Sequence, residues 1–515
     1  MLAAMPPTSP TPVNRDEAPP RAAVRESVRT PARERGDACP GALRLHAADD
    51  GRLARLRLPA GLLTIRQAET LADAAERLGD GHVDLTSRGN AQLRGLDGSR
   101  GPELAGLLHK AGLLPSETHE RVRNIVASPL AGLDELPYAD VQSWARELDG
   151  LLCASARAAT LSGRFLFALD DGRGDVAALG ADVTLLARRD GSVAVRTGAN
   201  RSGPCVAPED APRAALLAAE TFLTLAEAGG SGAWRVRELP AEDGRGLDAA
   251  LRAALTDAGI ATEDVAGAPG RGPGSTPEAG STAERGSTPE PHSTPDAGST
   301  PEPGSTSGPQ GGPPVPGPVR SPDGTVALSV HARLGRLTAA QLRLLAAAAN
   351  GPLRVTPWRG VIVPGVAPAV ADAVLDRLRT AGLITAPDSL WYGVGACTGR
   401  PGCAKALADV RSDATAAVLS GTDSRADSRA VSHGSGGLPV YWSGCARRCG
   451  HPRGRWVDVV ATGEGRYDIS VQDEVQDQVR DQVQVQVQGD GPNTITAGPE
   501  LADAVAAART TPLTR

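Results

Sequence analysis

The stretch Gly61-Leu62-Leu63-Thr64-Ile65-Arg66-Gln67 (GLLTIRQ) recurs as GRLTAAQ at 335–341, and this recurrence decides the fold. In each copy a Thr stands three residues before a Gln, directly ahead of an apolar helical pattern. That spacing is a capping box, in which the two side chains satisfy free backbone N–H groups at a helix start. After Thr64, the residues Ile65, Ala68, Leu71, Ala72, Ala75 and Leu78 follow at helical spacing. Upstream, 55–58 alternates like a strand. Downstream, 82–86 and 91–96 read as two further strands, and 103–111 as a second helix stopped by Gly112. The second copy repeats the order: a helix after Thr338 with Gln341 completing the box, strands over 353–356 and 361–363, then Ala381-Gly382-Leu383 in place of Ala111-Gly112-Leu113. The offset is 274 residues at the first glycine (61 to 335) and 270 at the second (112 to 382). Five elements in one order imply an internal duplication. Each copy reads β-α-β-β-α, half of a ferredoxin-like α+β sandwich.

Working outward, the 515 residues allow about three or four domains. A hydrophobic share of 40% is enough for ordinary cores, so the excess of glycine (61) and proline (42) must be local. It concentrates in a Pro/Ala/Arg-rich tail over 1–37 and in a Gly-Ser-Thr-Pro-Glu repeat over 266–323, which has too little apolar surface to offset its ordering entropy and reads as a linker. A polar insert lies at 421–437 and a Val/Gln/Asp run at 471–488. A net charge of −6 argues against a general nucleic-acid binder. No apolar run reaches the roughly 18 residues of a membrane span, and the N-terminus carries too many prolines and acids for a signal peptide. Seven unevenly spaced cysteines do not make a secreted disulfide scaffold. The expected compartment is the cytoplasm, where clustered thiols point to metal.

Four of the seven cysteines fall together. Cys397 and Cys403 have five residues between them, Cys445 and Cys449 three, with 41 residues between the pairs. Four thiolates suit a [4Fe–4S] cube, one on each iron. Structural zinc is the alternative, but its paired cysteines usually stand two to four residues apart. If 446–448 is helical, Cys445 and Cys449 share a helix face, and Arg447 and Arg448 are placed to balance cluster charge. Cys39, Cys153 and Cys205 are isolated and read as small buried apolar residues. Subtracting 269–270 from Cys397 lands on Ser128 or Ala127, so the first copy carries no cluster.

At these residues the chain resembles the nitrite/sulfite reductase superfamily and, within it, the precorrin-3B synthases of cobalamin synthesis. The resemblance rests on CPGALRL (39–45), RLRLPAG (55–61), DLTSRGNAQLRGL (84–96), RNIVASPLAG (123–132), RFLFALDDGRGDV (164–176), LRVTPWRGVIV (353–363), GACTGRPGC (395–403) and WSGCARRCGHP (442–452). It implies a duplicated α+β architecture: a tail (1–37), a ferredoxin-like half-domain (38–114), a cluster-domain repeat without cluster cysteines (115–262), a linker (263–323), a second half-domain (324–386) and a [4Fe–4S] domain with inserts (387–515). It further implies Cys397, Cys403, Cys445 and Cys449 as cluster ligands, and Arg88, Arg123, Arg164 and Arg359 as substrate-binding residues. It assigns no catalytic residue. Where the reductases carry two lysines, this chain has Arg164 and Leu166. Replacing an ammonium by an isobutyl group removes a charge and a proton donor, which favours a substrate other than sulfite or nitrite.

The implied activity is therefore an oxygen-dependent hydroxylation of the polycarboxylate tetrapyrrole precorrin-3A to precorrin-3B, with lactone formation. It would use the cluster, a mononuclear iron, O₂ and a reduced donor (NADH, a reductase or ferredoxin), without nucleic acid or membrane. Asp170 or Asp171 are candidate iron ligands. A sirohaem-dependent nitrite or sulfite reductase is the alternative, and a non-catalytic iron–sulfur electron carrier a second one. Fixed guanidiniums in a cleft are what a polycarboxylate ring requires, and Arg57 and Arg94 extend the candidate set.

Overall fold

The structure is a computed structural model that describes residues 37, 39–136, 139–263, 311–423, 437–473 and 494–510. Nearly all of the expected tail (1–37), most of the 266–323 repeat and of the 421–437 insert, and the 471–488 run beyond Asp473 lie outside these residues. Four five-stranded sheets organise the described residues.

The two half-domains form one body by exchanging strands. The first sheet runs His46–Ala48, Gly51–Leu56, Ala91–Leu96, His82–Leu85, and is completed by Arg336–Thr338 from the second copy. The second runs Gly317–Arg320, Val326–His331, Gly360–Val366, Leu353–Val355, and is completed by Leu62–Leu63 from the first. The registers Leu337↔Val83 and Leu353↔Leu63 fix the exchange. Each donated strand immediately precedes a capping-box helix, Ile65–Leu78 or Ala339–Ala348. Both boxes close: the Gln67 and Gln341 amides donate to Thr64 and Thr338 Oγ1 at 3.2 and 3.1 Å, and each Thr amide donates back to the Gln side chain at 2.9 Å. Each Gln then reaches across to the end of its copy's second helix, at Ala111 O (3.2 Å) and Ala381 O (2.8 Å). Leu71, Leu93, Leu345 and Val363 share a single core spanning both copies.

Strand Gly317–Arg320 falls inside the expected 263–323 linker. It pairs with Val326–His331 and forms a sheet edge, where a strand accommodates Pro318. Its short, Gly/Pro-bearing sequence conceals it.

The other two sheets repeat one another. Ile125–Ala127, Phe167–Asp170, Val183–Ala187, Val193–Thr197 and Cys205–Val206 are matched in order by Val394–Ala396, Val440–Ser443, Arg455–Gly463, Arg466–Asp473 and Thr494–Thr496. In both, the first three strands are parallel and the remaining pairings antiparallel. Each sheet has its own apolar core, around Phe165, Phe167 and Phe222 in the first and Trp442, Val459 and Tyr467 in the second. No helix among the described residues is long and apolar enough to cross a membrane.

Candidate cluster site and arginine-lined cleft

Both cysteine pairs leave the carboxyl ends of adjacent parallel strands, the usual place for a ligand on such a sheet. Cys397 follows Val394–Ala396, and Cys445 and Cys449 follow Val440–Ser443. The register Ala396↔Trp442 sets the two turns side by side. The Cys397 amide donates to Trp442 O at 2.9 Å, and the Gly444 amide donates to Cys397 Sγ at 3.1 Å. Burial pushes the Cys397 thiol pKa up, and the nearby Cys449 and Cys403 push it the same way. The loops meet closely enough to require glycine: a Cβ on Gly444 would lie 2.7 Å from Ala406 Cβ, and one on Gly402 would lie 2.5 Å from Asp50 Oδ2. Arg94, from the first half-domain, forks onto Asp50 (2.8 and 2.9 Å) and donates to Gly402 O at 2.5 Å, fixing the first cysteine loop from across the domain boundary.

The segment 446–448 is a turn rather than a helix: Arg448 takes a φ of +49°, which ends any helical path. Its guanidinium is drawn to the buried carboxylate of Asp458, so its charge is already compensated. Among the described residues, the group of three or more ligand atoms within 4.8 Å of one another is Asp170, Asp171 and Asp175, not the cysteines. Tetrahedral zinc, with Zn–S about 2.3 Å, would draw its sulfurs to roughly 3.8 Å apart. A cube, with each thiolate on a different iron, spaces them more widely. The donor set and the glycine cradle fit an iron–sulfur group.

Beside this site lies a cleft of about 2170 Å³, walled by both repeats and both half-domains. That is about twice the upper end of ordinary small-molecule pockets and suits a large planar ligand. Of the arginines expected from sequence, Arg88 and Arg359 line it. Burial and the neighbouring Arg235 pull the Arg88 pKa down to about 10. Arg164 is exposed and lies over the Trp234 ring at 4.8 Å, outside the cleft wall, while its carbonyl accepts from Arg88 at 3.2 Å. Arg123 is buried and forked onto Asp149 by two 2.6 Å bonds. Arg57 is likewise buried, donating to Arg121 O and Gly163 O. Arg123, Arg57 and Arg94 hold loops together.

Sequence reading missed Arg196, Arg201, Arg235 and Arg237 on the first repeat and Arg453 on the second, all lining the cleft. Asp182 and Gly180 O engage Arg235, at 2.5 and 2.8 Å. Arg196 has a buried Nε with no hydrogen-bond partner, and burial pulls its pKa down against the opposing charge of Asp170. Strand pairing places it opposite Thr184, but no motif marks it in the sequence. Trp358 and Trp442 both line the cleft, and Trp442, 1% exposed, packs edge-on to Tyr467.

The carboxylates considered for a mononuclear iron, Asp170 and Asp171, lie with Asp175 in one buried group held by donors of the chain. Asp170 accepts backbone N–H bonds from Gly172, Gly174, Val176 and Ala177 at 2.8–3.1 Å. Asp171 is forked by Arg173, which also binds Asp134. Asp175 accepts from Ser128 Oγ at 2.6 Å and from the Val176 amide at 2.7 Å. The chain's own donors engage both oxygens of Asp170 and of Asp171 and Oδ1 of Asp175.

The model of the nitrite/sulfite reductase ferredoxin-like half domain matches residues 46–111 and 318–381, the two strand-exchanged copies. The chain thus carries two copies of the ferredoxin-like half domain found in nitrite and sulfite reductases. Among the superfamily's characterised members, it is 38% identical over 127 residues to the ferredoxin–nitrite reductase of Synechococcus elongatus (24% of this chain, 25% of that protein). It is 35% identical over 159 residues to the precorrin-3B synthase of a Sinorhizobium species (31% of this chain, 34% of that protein). The chain thus spans about a quarter to a third of the length of these relatives. The structure of the Mycobacterium tuberculosis NirA protein has a similar fold, with a TM-score of 0.61 over 88% of this chain and 79% of that one, at 18% identity.

Proposed function

We propose that the chain is an iron–sulfur oxidoreductase that takes an anionic tetrapyrrole into its cleft and hydroxylates precorrin-3A to precorrin-3B with lactone closure, in an oxygen-dependent reaction. The observation that carries this reading is Leu166. It stands in the cleft wall where the reductases' second lysine would be, 3% exposed in an apolar cluster with Val126, Ala168, Val176 and Ala181. An apolar wall suits the face of a macrocycle and offers no proton to a small oxyanion. The precorrin-3B synthase similarity supports the same choice.

Cys397, Cys403, Cys445 and Cys449 would hold the cluster, which supplies electrons one at a time when bound. Arg88 and Arg196 present guanidiniums to the ring's carboxylates from two walls, where exclusion of water strengthens each charge-assisted bond. Trp358 and Leu166 cover the ring face and keep water from it. The reading also requires O₂, a reduced donor and a mononuclear iron, for which we name no ligands. A cytoplasmic location belongs to the same reading.

The second reading, a sirohaem-dependent nitrite or sulfite reductase, draws on the similarity to the Synechococcus enzyme. Under it the cleft holds sirohaem beside Cys449. One experiment separates the two. Anaerobically purified full-length protein is analysed for iron, sulfide and extractable tetrapyrrole, then supplied with precorrin-3A, a reductant and O₂. A product heavier by one oxygen supports the first reading. Extracted sirohaem with viologen-driven nitrite or sulfite reduction replaces it with the second. Cluster without either activity reduces the protein to an electron carrier.

A further inference from the structure

Arg359 stands in an unusual position between the cleft and the second cysteine turn. It sits in the hairpin between Leu353–Val355 and Gly360–Val366 with a φ of +59°, a left-handed conformation that side-chain-bearing residues rarely adopt. Its side chain crosses from the half-domain into the cluster repeat. There Nη2 donates to Gly450 O at 2.6 Å and to Tyr441 Oη at 3.4 Å, and the guanidinium lies 5.3 Å from the Tyr441 ring centre. The Tyr441 hydroxyl in turn donates to Cys449 O at 2.6 Å. Consecutive carbonyls, Cys449 and Gly450, are thus held by one phenol and one guanidinium.

The surroundings are shaped for this pair. A Cβ on Gly335 would lie 2.3 Å from Arg359 Cδ. One on Gly450 would lie 2.8 Å from Arg359 Nη2, and one on Gly395 would lie 2.9 Å from the Tyr441 ring. Three glycines on three separate segments leave room for two side chains.

The charge of Arg359 is also unspent. Among the described residues its partners are a carbonyl, a phenol and a ring, all neutral, whereas Arg448 on the same turn is paired with Asp458. Arg359 was expected from sequence to bind substrate. It lines the cleft, and its Nη2 is committed to the cysteine turn.

We infer that Arg359 and Tyr441 are positioning residues for the cluster: they seat the Cys449 turn, and the fixed guanidinium raises the cluster's reduction potential by favouring the form with one more negative charge. The inference rests on the four-cysteine cluster assignment proposed above. The electron that arrives at the cluster comes from the reduced donor and adds one unit of negative charge, with no bond made or broken.

The test is a redox titration of full-length, reconstituted protein followed by electron paramagnetic resonance, with iron and sulfide counted in each sample. Arg359→Gln is expected to keep four irons and four sulfides while its reduction equilibrium shifts about tenfold toward the oxidised form, 59 mV lower for one electron. Arg359→Lys, which keeps the charge without the fork, is expected to stay nearer the wild type. Should Arg359→Gln not hold iron, Tyr441→Phe gives the same reading, with a smaller downward shift expected. A full cluster with an unmoved potential in both Arg359→Gln and Tyr441→Phe overturns this inference and leaves the cluster assignment standing. A wild-type protein that binds no iron on reconstitution overturns both.

Discussion

The Ser128 hydroxyl accepts a hydrogen bond from the Asp171 amide at 3.2 Å, in the position where the Cys397 sulfur accepts one from Gly444 at 3.1 Å in the other repeat. The correspondence extends to the backbone: the Ser128 amide donates to Leu169 O at 3.0 Å, as the Cys397 amide donates to Trp442 O at 2.9 Å. The duplicated sheet therefore offers the same socket twice. In one copy cysteines surround it. In the other a hydroxyl replaces the thiol, and three carboxylates with their donors fill the space.

That filling has a pH signature. Burial, with the charges of Asp170 and Asp171, raises the Asp175 pKa from 3.8 to about 7. Between these values the folded state binds a proton that the unfolded state releases, so the contribution of Asp175 to stability falls as pH rises from about 4 to 7. The full cost above pH 7 is about 4 kcal/mol. Asp175→Asn keeps an acceptor for Ser128 and Val176 without the charge. It is expected to match wild type in denaturant unfolding near pH 5 and to exceed it at pH 8. Equal pH dependence in the two proteins would refute this account of the filled socket.

The cysteine assignment makes a stoichiometric prediction. Cys445→Ser is expected to lose the cluster's visible absorption and its iron and sulfide after anaerobic reconstitution, while Cys205→Ser, buried in the first repeat, keeps both. Retention of four irons per chain in the Cys445 variant would remove that residue from the ligand set.

Arg94 ties the first cysteine loop to a different domain. Replacing it by Met leaves the partly buried Asp50 carboxylate and the Gly402 carbonyl without their donor. Loss of such a pair costs about 2–3 kcal/mol, after allowance for the part-exposure of Asp50. The expected result is a lower midpoint in thermal unfolding of the reconstituted protein and faster loss of iron to a chelator. An unchanged chelation rate would show that the loop holds its shape without the latch.

Arg196 is expected to govern ligand affinity rather than stability, because its Nε has no partner within the protein to lose. Removing one charge-assisted bond of about 1.5–3 kcal/mol corresponds to a roughly 10- to 100-fold weaker Kd. Arg196→Gln would be titrated with a polycarboxylate porphyrin by absorption, at low and high salt. Equal affinities for wild type and variant would place the ligand elsewhere in the cleft.

Much of this protein was legible in its sequence because the signals are local. The Thr64/Gln67 and Thr338/Gln341 boxes act over three residues, and the structure closes both. The order of strands and helices follows from short-range periodicity. The half-domain duplication was visible because its turn and cap residues recur. Even the absence of a thiol at Ser128 could be read by counting.

Tertiary structure decided what depends on partners far apart in the chain. The exchange of Leu62–Leu63 for Arg336–Thr338 between sheets is carried by short strands with no pairing signal of their own; only the shared core makes it favourable. The arginines divide for the same reason. A guanidinium is chemically identical whether it grips Asp149, as Arg123 does, or lines a cleft with an unpartnered nitrogen, as Arg196 does. Sequence supplies the charge, but the location of its counter-charge is set by packing across hundreds of residues.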